Sequence, residues 1–253
     1  MFGTTHILYL VISFALTGGI ITLGKLFIKT DEGHNRLIKL FAILTVIIHM
    51  SPLWVDYLTT GRAEVEAPMI FAIYPCNICM WLLLLSSFVK REGILYRLLS
   101  EFTCLGGTVC GIIGLVFNEN FGSNPTLLDY GVLKGMLSHS TMVLGCIYLG
   151  ASGLVKIRLR NTLSVVAGLV WFIFNGLAIN GIYAHFGLDS PNSMYLQKPP
   201  FEALPWINTV VIGIAALVVV IAFTTLFEKL VLKKKWKEIF TLSNLCGYEI
   251  GKK

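Results

Sequence analysis

This 253-residue sequence predicts an all-α, polytopic membrane bundle of seven transmembrane helices, with the N-terminus outside and the C-terminus cytoplasmic. Composition is the first reason: 55% of residues are hydrophobic and 13% are charged, against about 25% charged in a soluble domain. The mean hydropathy is +0.76. Spacing is the second: the apolar residues fall into seven runs, each close to the roughly 20 residues that cross a bilayer core as a helix. The third is the alternation of Lys and Arg between the two sides of those runs.

The spans are read at 7–28, 38–58, 68–89, 94–117, 132–154, 162–184 and 205–227. The first has no Lys or Arg before it and no small-residue cleavage site, so it reads as a retained helix and not a signal peptide. The third begins at Pro68 and the seventh at Pro205. One side holds Lys25, Lys29, Arg36 and Lys39, then Lys90, Arg91 and Arg97, then Lys156, Arg158 and Arg160, and finally the seven lysines from Lys229 onward. That is 17 of the 20 basic residues; the other side has Arg62, Lys134 and Lys198. Such a bias puts the first side in the cytoplasm.

The chain then divides into a transmembrane domain, 1–227, and a basic cytoplasmic tail, 228–253. Trp236 and Phe240 give the tail the character of a stop-transfer anchor on anionic headgroups. Although the net charge is +6, the cations lie between apolar spans, so a membrane partner is expected and nucleic acid is not. A multi-pass protein of the plasma membrane is the expected location. Five of the six cysteines (Cys76, Cys79, Cys104, Cys110, Cys146 and Cys246) sit inside spans, which excludes a secreted disulfide framework.

Polar side chains inside lipid are costly and each asks for a reason. Under this topology His49 and Asp56 lie toward the outer end of the second span. Pro75, Cys76, Asn77 and Cys79 lie in the third, Asn118 and Glu119 at the end of the fourth, and Ser138, His139 and Ser140 in the fifth. Asn175 and Asn180 lie in the sixth. At about 1.5 Å per residue most of these fall in the outer half, which suggests an outward-facing polar cavity. Plainer roles compete at each position. His49 reads as a hydrogen-bonding bridge, Asn175 and Asn180 as interhelical glue, and Cys104, Cys110 and Cys146 as small packing residues. His34 reads as a solvated loop residue. His139, flanked by two serines well inside a span, is the strongest catalytic candidate.

The string Tyr74-Pro75-Cys76-Asn77-Ile78-Cys79 is the least ordinary. Pro75 is expected to kink its helix and free carbonyls beside Cys76. Three chemistries compete there. A thiolate attacks an acyl carbonyl with His139 as base. A Cys76/Cys79 dithiol exchanges electrons with a quinone or thiol. Alternatively the two cysteines form half a metal site, but no second pair is suitably placed.

YPCNIC, Ser138-His139 and the segment NSMYLQKPPFEALPW at 192–206 together resemble the YwaF-like bacterial integral membrane proteins, grouped with the eukaryotic transmembrane protein 164 acyltransferases. The resemblance runs over roughly 38–227. It implies acyl transfer on membrane lipids through a cysteine and a histidine, with no metal or nucleotide cofactor. By position the nucleophile falls on Cys76 in the eukaryotic pattern and on Cys79 in the bacterial one. Asn77 stands where the eukaryotic proteins have histidine. On this reading His139 is the base, Ser138 or His49 orients it, and Asn77 or Asn175 faces the oxyanion. Asn180 completes the polar set, and Tyr195 and Lys198 lie at the mouth, where Lys198 attracts a phosphate headgroup. The rival readings are a non-enzymatic transporter or solute- or lipid-binding protein, and a thiol redox enzyme.

Overall fold

A computed structural model of the chain describes residues 3–62, 68, 71–118, 126–200 and 204–246, with the backbone alone for Leu242 and Cys246. All regular structure among these residues is helical.

Helix α1, Thr4–Phe27, is apolar around almost its whole circumference and buries only His6, Thr17 and Gly24. Its other faces are left for lipid. Helix α2, Asp31–Met50, starts where Thr30 accepts the Gly33 N–H, with Asp31 and Glu32 in the first turn. Acceptors and acids there satisfy the free N–H groups and the helix dipole. Pro52 opens α3, Pro52–Thr60, which extends the same span and ends at Gly61 with φ +73°, a left-handed cap that glycine takes without penalty.

Helix α4 covers Pro75–Phe88. Next come α5, Gly93–Phe102, a π-helical segment, Thr103–Gly107, and α6, Thr108–Val116, which form one span. Helix α7, Tyr130–Ala151, is capped by Asp129 on the Val132 N–H, and α8 covers Asn161–His185. Helix α9, Thr209–Leu230, is capped by Asn208. Two short helices close the chain: α10, Trp236–Ile239, and α11, Leu242–Cys246. Six of these spans are long and apolar enough to cross a membrane, and α4 is a shorter apolar helix.

Here the expectation for the third span is corrected. The run 68–89 is not one helix: residues 71–74 are non-helical, and the helix that follows, Pro75–Phe88, has 14 residues, about 21 Å at 1.5 Å per residue. That falls short of the roughly 30 Å hydrocarbon core. Pro75 does not kink a helix; it is the first residue of one, the position where its missing N–H costs nothing. The last span also starts four residues later than 205, at Thr209.

Helix α7 is the central post, in contact with α1, α2, α4 and the α5–π–α6 span. Lipid tails are as apolar as leucine, so close packing and internal hydrogen bonds hold such helices together. A glycine seam supplies the close packing. A Cβ at Gly107 would lie 2.8 Å from Cys146 Sγ, one at Gly111 2.6 Å from Val143, and one at Gly114 2.3 Å from the His139 ring. The partners on α7 run backwards as the glycines run forwards, which is the register of an antiparallel pair. Helix α8 packs on α5, and α9 on α8.

Contacts also sort the two ends of the bundle. At one end Arg91 pairs with Glu32 at 3.3 Å, Asn35 donates to Ser87 O, and Leu159 N–H donates to Glu228. The loops carrying most of the basic residues meet there. His34 is also there and is corrected: it is buried, and its Nδ1 lies 2.7 Å from the Tyr148 hydroxyl. At the opposite end the His6 ring bonds Leu115 O at 2.9 Å and Ser51 bonds Tyr130.

Candidate functional site

The candidate residues gather at the end opposite the basic loops, around the start of α4. A residue before proline is pushed out of the helical region, and Tyr74 accordingly has φ −106° and ψ 156°. Asn77 closes this start: its Oδ1 accepts the Tyr74 N–H at 3.0 Å. The other half of the amide is left directed at α2, with Nδ2 3.4 Å from His49 Nε2. That ring nitrogen is also 3.1 Å from Pro68 O. A carbonyl only accepts, so Nε2 donates to it, and Asn77 keeps an N–H for another acceptor.

His139 sits on α7 with Nδ1 2.8 Å from Gly135 O. The bond fixes the tautomer: Nδ1 donates, and Nε2 carries the lone pair. The Cδ2–Nε2 edge of the ring lies against Gly114 of α6, where any side chain would collide with it. Ser138 donates to the same Gly135 carbonyl at 3.0 Å. Ser140 belongs to another network, bonding Tyr9 and Ser13 of α1. The Lys134 ammonium acts electrostatically on both the His139 and His49 rings, and the two rings act on each other. The site thus brings together His49, Asn77 and His139, and it adds Lys134, which sequence reading used only for topology.

The two candidate thiols differ in surroundings. Cys76, in the first turn of α4, is half-buried, whereas Cys79 is 0% exposed. Cys79 neighbours Cys146 of α7 across Gly107, whose added Cβ would meet both. Cys104 and Cys146 are buried in the same core, as packing residues would be.

A loop after α8 covers this region. Asn192 Oδ1 accepts the N–H groups of Gln197 and Lys198 while its Nδ2 donates to Lys198 O. Ser193 and Met194 turn inward and are buried. Asn180 holds Ser193 at both backbone groups, at 2.8 and 3.2 Å. Ile73 O accepts from Ser193 Oγ and Met194 N–H, both at 2.9 Å, and Asn175 donates to Ala72 O at 2.7 Å. Asn175 and Asn180 therefore tie loops to α8, not helix to helix. Gly176 of α8 is needed because a Cβ there would meet Met194 at 2.9 Å. Tyr195 stacks on Tyr74 with centroids 5.4 Å apart, and Lys198 is exposed at the rim. Asn192, Met194 and Tyr195 all have positive φ, a concentration of strain typical of functional segments. Glu119 and residues 201–203 lie outside the described residues.

Sequence reading passed over Lys134, Gly114, Ser193 and Met194. Only the last two carried a signal, since they belong to the 192–206 string. Residues 1–227 match the family model described as the TMEM164 family, and the chain belongs to that family. Neither a comparison with curated proteins nor one with solved structures gives a match.

Proposed function

We propose that this member of the TMEM164 family transfers acyl chains between membrane lipids, with Cys76 as nucleophile and His139 as general base. The carrying observation is the engaged Nδ1 of His139, which makes Nε2, on the ring edge beside Gly114, the nitrogen that accepts a proton. Burial supports Cys76 over Cys79, because the Cys79 thiol is fully enclosed in the core whereas Cys76 is half-buried. Cys76 also lies in the first turn of α4, where the helix dipole favours negative charge.

In the proposed cycle His139 Nε2 takes the Cys76 proton and the sulfur attacks the ester carbonyl of a phospholipid. The ester C–O bond breaks, the acyl group remains on Sγ as a thioester, and the lysolipid oxygen leaves with the proton from His139. The hydroxyl of a second lysolipid then attacks the thioester and gives its proton to His139, which returns it to the thiol. Asn77 Nδ2–H faces the developing oxyanion. Lys134 and Lys198 attract phosphate, and Tyr195 lines the mouth. With the basic loops in the cytoplasm the site serves the outer leaflet of the plasma membrane.

The test is purified protein in vesicles holding a phospholipid labelled on its acyl chain and an unlabelled lysophospholipid. Label should pass to the lysolipid, and Cys76→Ser and His139→Ala should each abolish transfer in folded protein while Cys79→Ser retains it. Full transfer by both variants sinks the proposal. A second reading, a lipid- or solute-binding protein, is favoured by the short α4 meeting an irregular loop. Native protein that binds lipid, transfers no label and binds equally well as Cys76→Ser would favour it.

A further inference from the structure

A separate cleft of about 80 Å³ opens at the basic end, lined by Arg97, Leu98 and Glu101 of α5, Arg160, Leu163 and Ser164 at the start of α8, and Leu245 of α11. Its polar groups are poorly matched. Glu101 is 7% exposed, and the hydrogen bond it makes is from Ser164 Oγ at 2.6 Å. Arg160 Nε is buried with no hydrogen-bond partner among the described residues. None of the ion pairs there involves Arg97, Arg160 or Glu101. Exposed Arg97, part-buried Arg160 and buried Glu101 therefore surround one cleft without ion pairs, although a buried charged group is costly unless matched.

We propose that this cleft binds the headgroup of an anionic glycerophospholipid, with the phosphodiester on Arg97 and Arg160 and a headgroup hydroxyl donating to Glu101. Charge selects the class. Two guanidiniums and one carboxylate leave one net positive charge, which a phosphodiester with a neutral polyol head cancels. A zwitterionic head leaves it uncancelled. Arginine forks match phosphate oxygens, and Glu101 requires a donor that a choline head lacks. The apolar surroundings select a lipid over a free anion: Leu163 in the wall is 57% exposed, and Ile94 and Leu95, in the turn of α5 before Arg97 and Leu98, are 65% and 58% exposed, an apolar surface for acyl chains. Basic pockets between transmembrane helices bind lipid headgroups in this manner. The site lies at the opposite end of the bundle from His139 and does not depend on the acyl-transfer reading.

Native mass spectrometry of the detergent-solubilised full chain tests it, with phosphatidylglycerol, phosphatidylmethanol, phosphatidylcholine and sodium phosphate as separate probes. Phosphatidylglycerol should be retained over phosphatidylcholine. Arg97→Gln and Arg160→Gln should each weaken its retention about tenfold, the loss of one charge-assisted bond. Arg97 is exposed, so that variant keeps its fold even if Arg160→Gln does not. Glu101→Gln, whose amide oxygen still accepts from Ser164, should erase the preference for phosphatidylglycerol over phosphatidylmethanol, which lacks hydroxyls. A Lys235→Gln, Lys237→Gln double variant should change nothing. The proposal is overturned if Arg97→Gln binds phosphatidylglycerol as the native chain does, if phosphatidylcholine binds equally, or if sodium phosphate alone displaces the lipid.

Discussion

Gly114→Ala probes the seat of His139. The added Cβ would stand 2.3 Å from Cδ2 and 2.4 Å from Nε2 of the ring, where carbon contacts settle at about 3.5–4.0 Å. The ring must therefore retreat by more than about 1 Å. Its Nδ1 bond to Gly135 O is 2.8 Å, and such a retreat takes it past the roughly 3.2 Å limit of a good bond. Overpacking costs about 1–3 kcal/mol and the lost bond about 1 kcal/mol. Alanine returns about 1 kcal/mol of helix propensity, for a net loss of about 1–3 kcal/mol. Gly181→Ala is the control, since nothing lies within 4 Å of its Cβ, so only the propensity gain remains. Thermal unfolding in detergent should place the Gly114 variant below native and the Gly181 variant at or above it. The imidazole ¹⁵N shifts should show the loss of the Nδ1 bond, and any acyl transfer should fall about a hundredfold, as misplacement by 1 Å does elsewhere. A Gly114→Ala protein as stable as Gly181→Ala, with unchanged ¹⁵N shifts, refutes this account of the seam.

Asn180→Leu leaves two buried backbone groups of Ser193 without their partner, at about 1–3 kcal/mol each; limited proteolysis should then cut within 188–200, where the native chain resists. Glu228 is fully buried and accepts from Leu159 N–H, Lys234 and Asn244. Glu228→Ala should lower stability by about 3–5 kcal/mol and expose the lysine-rich tail to trypsin. A membrane-permeant maleimide should label Cys76 well before Cys79, and mass mapping that finds the reverse order contradicts the burial described. A reporter fused after Lys237 should register cytoplasm and one at 126–129 the outside; the opposite result would overturn the topology read from the basic loops.

The spans were legible because lipid imposes one demand, an unbroken apolar helix, and hydropathy reads that demand directly. It failed where an apolar string is not one helix. Residues 71–74 are non-helical within the run, because Tyr74 precedes Pro75, and that dipeptide carries the stop signal that a hydropathy window does not weigh. His34 misled for a related reason: Asp31, Glu32 and Arg36 around it look solvated, while its partner, Tyr148, is 114 residues away. Long-range pairs of this kind, Gly114 with His139 or Asn180 with Ser193, leave no local trace. The string at 192–206 was visible as unusual, but its task, a loop closed by Asn192 and docked through Met194, required the fold.

The irregular backbone around Ile73 and Met194 separates architecture from chemistry. Inside a bilayer, non-helical segments persist only where protein satisfies their polar groups. Asn77 does so at Tyr74, Asn175 at Ala72, Asn180 at Ser193, and Thr209 at Met194 and Tyr195. Asn77, Asn175 and Asn180 stood in the candidate polar set of the sequence, and each holds a loop in the fold, so replacing any of them disturbs structure whatever else it does. Cys76→Ser exchanges a single atom and leaves each of those loop contacts in place, so it tests the proposed chemistry with less disturbance of the fold than replacing any of the asparagines.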